Sequence, residues 1–111
     1  MLLIVDDNKQ VRRMIRSLVE DLDDDIFECA DGAEAFSVCE KHHPDWILMD
    51  VNMKPMDGLT ATRQIKRFFP ETKIAIVTNH TDKKTRQAAT EAGASAFLGK
   101  DNLMTLRDLL A

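Results

Sequence analysis

No stretch of this chain is apolar for long enough to cross a bilayer: runs such as Met1 to Val5 break off far short of the ~20 residues a spanning helix needs. No basic-then-apolar leader opens the sequence, so a cytoplasmic location with no membrane role is expected. Cysteine is scarce. Cys29 and Cys39 are the only two and lack a Cys-x-x-Cys spacing, so buried reduced thiols are expected rather than a disulfide or a zinc site. Neither sign of charge dominates: 15 Lys and Arg against 19 Asp and Glu give a net charge of -4, which argues against broad nucleic-acid contact and favours protein partners. The prolines, Pro44, Pro55 and Pro70, fall at the edges of predicted elements, and no linker, repeat or low-complexity stretch breaks the chain. At 111 residues, 44% hydrophobic and 31% charged, the chain can enclose one core but has no room for a second, so one domain over residues 1–111 is expected.

What is present is a regular alternation. Leu2–Val5, Ile26–Cys29, Trp46–Met49, Ile74–Val77 and Ala96–Leu98 are short, mostly apolar segments of strand length, four of which read as buried on both faces. After the first, Val11, Met14, Ile15, Leu18, Val19 and Leu22 recur at three- and four-residue steps, one apolar helical stripe. Helical patterns over roughly 33–41, 59–69, 82–92 and 103–110 fill the other gaps. Five strands alternating with five helices predict an α/β fold, a parallel sheet with helices on both faces, because parallel neighbours need crossover connections.

In an open α/β sheet ligands bind beyond the carboxyl ends of the strands. The residues there are Asp6 and Asp7 after the first strand, Asp50 after the third, Thr78 after the fourth, and Lys100 just past the fifth. The second contributes Ala30 and Asp31, the latter a helix cap, as an edge strand outside the site would. Any one of these carboxylates alone reads as a cap. Together they would repel one another unless a cation shared their space, and oxygen ligands with room for water suit Mg2+ and phosphate chemistry. A hydroxyl at Thr78 and an ammonium at Lys100 are what the oxygens of a phosphoryl group require, whereas capping predicts no Lys there.

With Leu3-Ile4-Val5-Asp6-Asp7, Asp50-Val51-Asn52-Met53 through Met56-Asp57-Gly58, Thr78, and Phe97-Leu98-Gly99-Lys100 in this order and spacing, the sequence resembles the receiver domains of bacterial two-component response regulators, from Leu2 to about Leu110. The resemblance implies a five-stranded flavodoxin-like sheet in the order 2-1-3-4-5 and a signalling domain rather than an enzyme. It makes Asp50 the phosphoacceptor, with Asp7 and Asp50 ligating Mg2+ directly, Asp6 acting largely through water, and Asn52 supplying a backbone carbonyl. Thr78 would bond the phosphoryl group, Lys100 would pair with it, and Phe97 would take the place of a rotating aromatic switch. The implied partners are a histidine kinase or histidine phosphotransfer domain, with room for a phosphorylation-linked dimer. An output domain beyond Ala111 is expected, and the Gly58-Leu59-Thr60-Ala61-Thr62-Arg63 stretch resembles receivers joined to DNA-binding helix-turn-helix outputs.

Three positions depart from the family pattern. Lys54 stands between Met53 and Pro55 where Pro usually follows Met directly. Asn79 replaces a small residue after Thr78, and Asp101 replaces a Pro after Lys100, where a trans peptide is therefore expected. These departures keep a non-phosphorylated pseudo-receiver, a docking module, as the alternative. A haloacid-dehalogenase-type phosphatase is disfavoured, since Asn52 stands where that chemistry places a second Asp. Asp21, Asp23, Asp24 and Asp25 read as a solvated turn and not a calcium loop, because Ile26 and Gly32 occupy the positions that would need Gly and Glu. His42 and His43 read as favourably placed near a helix end. Lys9, Arg12, Arg13 and Arg16 read as a solvated helical face that could also steer an acidic partner.

Overall fold

The computed structural model describes residues 1–111. The elements are β1 (Leu2–Val5), α1 (Lys9–Val19), β2 (Ile26–Cys29), α2 (Gly32–His42), β3 (Trp46–Met49), α3 (Gly58–Phe68), β4 (Lys73–Thr78), α4 (Lys83–Ala92), β5 (Ala96–Gly99), a 3-10 turn (Lys100–Asn102) and α5 (Thr105–Leu110). All neighbouring strands are parallel and the order is β2-β1-β3-β4-β5, so the α/β fold and the topology implied by the resemblance are both observed.

Side chains alternate across the sheet and divide the core in two. Leu3, Val5, Ile47, Met49, Ile74 and Ile76 pack with Ala35 and Cys39 of α2, Ala61 and Ile65 of α3, and Ala89 of α4. On the other face Leu2, Ile4, Leu48, Ala75 and Val77 meet Ile15 and Val19 of α1 and Leu106 of α5. A strand buried on both faces needs apolar residues at successive positions, which is why β1, β3 and β4 are near-continuous apolar runs. The first four helices begin at side-chain caps: Asn8 and Asp31 each accept two backbone N–H groups of the following first turn, and Asp57 and Asp82 one each. Gly93, at φ 101, closes α4 in the left-handed region that a Cβ disfavours. Cys29 and Cys39 are free and buried, as expected.

Several expectations need correction. Three strands, not four, are buried: β1 at every position, and β3 and β4 at all but their first residue. β5 is half-buried throughout, because the strand order gives the sheet two edges and β5 is the second of them. The apolar stripe of α1 stops at Val19, and Leu22 lies in the following turn, where its N–H bonds the Val19 carbonyl at 2.9 Å. Met14, at the margin of that stripe, is 47% exposed. The last helix begins at Thr105 rather than Leu103: no side chain caps it, and a 3-10 turn over Lys100–Asn102 followed by a turn at Leu103 and Met104 leads into it.

Candidate functional site

The ladder bonds of the sheet run one residue past the strands and hold two carboxylates at its carboxyl end. The Asp6 N–H donates to the Cys29 carbonyl at 3.1 Å, and the Asp50 N–H donates to the Val5 carbonyl at 2.9 Å. Asp6 is 2% exposed and Asp50 5%, whereas Asp7 is open to solvent. One carboxylate oxygen from each of Asp6, Asp7 and Asp50 lies within 4.8 Å of the others. The Lys100 ammonium reaches into the cluster from the end of β5, 2.8 Å from Asp6 Oδ2 and 3.3 Å from Asp50 Oδ1. The second oxygen of Asp6 accepts the Asn8 N–H at 2.9 Å.

The electrostatics follow from burial. Loss of water pushes the Asp50 carboxyl above the ordinary aspartate range, the charge of Asp6 pushes it further, and Lys100 pulls it back only in part. For Lys100 burial works against the charge, but bonding to Asp6 and the charge of Asp50 outweigh it and lift the ammonium above the ordinary lysine value. Two buried carboxylates and a third beside them thus share a single ammonium, which leaves negative charge in excess. All the donors are oxygen, one side of the cluster is open at Asp7, and beyond it a cleft of about 270 Å³ is lined by Asp7, Asn52, Met53, Lys54 and Asp57. These residues fit a hard divalent ion such as Mg2+, which keeps several waters and takes few carboxylates.

Thr78 ends β4 fully buried, its hydroxyl oxygen accepting the His80 N–H at 3.1 Å. It lies opposite Gly99 in the ladder, so Lys100 follows at the next position of the neighbouring strand. Phe97 lies opposite Ile76, on the face that α4 covers, with the Arg86 guanidinium 4.6 Å above its ring. Direct contact therefore joins Asp6, Asp50 and Lys100. Asp7 stands beside them, Asn52 lines the adjoining cleft, and Thr78 and Phe97 are linked to the cluster through the β4–β5 register. The peptide bond between Lys54 and Pro55 is cis, and that between Lys100 and Asp101 is trans, as expected.

Two residues matter more here than sequence reading gave them credit for. A Cβ on Gly58 would overlap the carbonyl oxygen of Asp50, so only glycine lets the loop after β3 fold back there, with its N–H on the Val51 carbonyl at 2.9 Å. Arg12, read as part of a solvated face, instead donates to the Asp6 carbonyl at 2.6 Å and pairs with Glu28 on β2 at 3.2 Å. The order Gly-after-Asp in the loop was visible in the sequence. The Arg12 contact was not, because it depends on how β1 and β2 are paired.

The family model described as "Response regulator receiver domain" matches residues 2–111. The uncharacterized transcriptional regulatory protein YhcZ of Bacillus subtilis is 37% identical over 102 residues, which cover 90% of this chain and 48% of that protein. The response regulator UvrY of Escherichia coli is 36% identical over 100 residues, covering 88% and 46%. The chain thus spans a little under half the length of these relatives. Among solved structures, a LuxR-family two-component response regulator from Aurantimonas superposes with a TM-score of 0.88 at 31% identity, covering 96% of this chain and 79% of that one. The chemotaxis protein CheY4 of Vibrio cholerae gives 0.88 at 30% identity, covering 98% and 93%.

Proposed function

Because the chain belongs to the response regulator receiver domain family, we propose that it is a phosphorylation-dependent switch in which Asp50 is the phosphoacceptor. The observation that carries this reading is the placement of the Asp50 carboxylate, buried at the sheet's carboxyl end, with acidic neighbours on one side and Lys100 3.3 Å away on the other. In the proposed step an Asp50 carboxylate oxygen attacks phosphorus. The new O–P bond forms as the P–N bond of a phosphohistidine breaks, and the departing imidazole keeps the bonding pair and takes up a proton. The donor would be a histidine kinase or histidine phosphotransfer domain.

Asp7, Asp50 and the Asn52 carbonyl would hold Mg2+ directly and Asp6 largely through water; when bound, the ion supplies positive charge to offset the carboxylates and the phosphoryl oxygens. Lys100 orients the Asp50 carboxylate and pairs with the transferred group, and the Thr78 hydroxyl donates to one of its oxygens. No residue is required as a general base, since the nucleophile is already a carboxylate. Residues 1–111 form the receiver domain, cytoplasmic in this reading. The output is a further domain that acts in transcriptional regulation, the role that the printed name gives the Bacillus subtilis relative. With a net charge of -4 the receiver itself does not contact nucleic acid, and phosphorylation favours its dimer.

Incubation with acetyl phosphate and magnesium, followed by intact mass measurement, tests the assignment. One phosphoryl adduct is expected on the wild type and none on Asp50→Asn. A wild type that takes no adduct would favour the pseudo-receiver alternative, and a variant labelled at the wild-type rate would place the acceptor elsewhere.

A further inference from the structure

Arg12 stands apart from the other cations of α1. Its side chain is only 16% exposed, against 42% for Arg16 one turn later, and its two bonds lead to different strands. Nη1 donates to the backbone carbonyl of Asp6 at 2.6 Å, and Nε pairs with Glu28 Oε1 at 3.2 Å. Arg16 pairs with the other Glu28 oxygen at 3.0 Å and touches the Ile26 carbonyl at 3.3 Å, but makes no bond to Asp6. Glu28 is thus held in place by Arg16 and holds Arg12 in turn.

The bonded carbonyl belongs to the peptide that joins Asp6 to Asp7. Elsewhere on Asp6, its N–H donates to the Cys29 carbonyl, and its carboxylate accepts the Asn8 N–H and pairs with the Lys100 ammonium. β1 has ended at Val5 and α1 has not begun before Lys9, so no regular ladder fixes this plane. A rotation of it would turn the Asp7 carboxylate, which is exposed and has no side-chain bond of its own, away from Asp50.

We infer that Arg12, braced by Glu28, is a positioning residue that fixes the Asp6–Asp7 peptide so that the Asp7 carboxylate faces Asp50 in a geometry ready for a divalent ion. The inference rests on the phosphoacceptor reading above and deepens it. Arginine suits the task because its planar fork reaches a carbonyl and a carboxylate at once, which a lysine ammonium on its single point of charge does less well. Residues that orient metal ligands without touching the metal typically account for roughly ten- to a hundredfold in metal affinity or activity.

The test measures magnesium affinity by titration and the rate of acetyl phosphate labelling as a function of magnesium, on Arg12→Ala, Arg12→Lys, Glu28→Gln and Arg16→Ala. Arg12→Ala should weaken magnesium about tenfold or more, with labelling restored toward the wild-type rate at saturating ion. Arg12→Lys should recover part of the affinity, Glu28→Gln should lose less than Arg12→Ala, and Arg16→Ala, which acts only through Glu28, should lose least. Urea unfolding checks that each variant is folded. Should Arg12→Ala fail to fold, Arg12→Lys and Glu28→Gln carry the comparison. A folded Arg12 variant with wild-type magnesium affinity, or a labelling defect that persists at saturating magnesium, overturns the positioning role while leaving Asp50 as acceptor. A wild type that neither binds magnesium nor is labelled overturns both.

Discussion

Asp50 is kept at a cost. Its carboxyl is raised first by burial and then by the charge of Asp6, so between the ordinary aspartate value and that raised value the folded chain holds a proton that the unfolded chain has released. Folding stability from this group therefore falls as pH rises through that window and stays lowered at neutral pH. Lys100 follows the same pH trend in a much higher window: its raised value contributes stability that is fully present below the ordinary lysine pKa, neutral pH included, and is lost as pH climbs through the raised one. In magnesium-free buffer Asp50→Asn is expected to raise the urea midpoint at pH 7, and the gain should shrink toward zero as pH drops below the ordinary aspartate value. Magnesium should raise the midpoint of the wild type and not that of the variant. An Asp50→Asn midpoint below that of the wild type at neutral pH would contradict this electrostatic account.

At the scale of elements, α4 is the least anchored helix on its face of the sheet. It buries only Ala89 and Ala92, small side chains that remove little apolar area from water. What defines it is therefore its ends: Asp82 accepts the Thr85 N–H at 3.0 Å and the Thr85 hydroxyl at 2.8 Å, and Gly93 closes the other end. Asp82→Ala should cost about 1 kcal/mol by loss of the cap, and amide exchange should quicken in 83–92 before it does in α3. Equal protection of the two helices in the variant would show that packing rather than capping holds α4. By contrast β1, β2 and β3 could be read to the residue from sequence, since each is a mostly apolar run of four residues with an Asp directly before it, directly after it or both. The acidic cluster could be read too, because each carboxylate directly follows a strand. The start of α5 could not, as no cap residue marks it, nor could the exposure of Met14, which the stripe's spacing places at its margin. The Arg12–Glu28 bridge lies 16 residues apart in sequence and exists only once β1 and β2 are in register, so local pattern carries no trace of it.

Over the whole molecule, the acidic end of the sheet and the α4–β5 surface meet at Thr78 and Phe97, and a group added to Asp50 is expected to move that surface. Phosphorylation adds about -1.5 to -2 charges and strong acceptor oxygens beside Thr78 and Lys100. The Thr78 hydroxyl now accepts from the His80 N–H, and drawing it toward a phosphoryl oxygen would take that bond from the loop leading into α4. Phe97 lies two register positions from Thr78, hence on the same face, half-buried, with Arg86 of α4 over its ring at 4.6 Å. Room vacated by Thr78 lets the ring turn inward, which breaks the contact with Arg86, a contact worth roughly 0.5–1 kcal/mol at an exposed site. A helix held mainly by its caps can follow such a change. Because Phe97 has no hydroxyl, packing must drive the movement, so Phe97→Tyr should alter partner affinity more than labelling rate. NMR shifts with and without beryllofluoride, at saturating magnesium, are expected to change at Phe97 and across 82–92 as well as around Asp50. Changes confined to the loops that surround Asp50, with Phe97 and α4 unmoved, would mean that the charge placed at the sheet's end is absorbed there and that this surface is not the output.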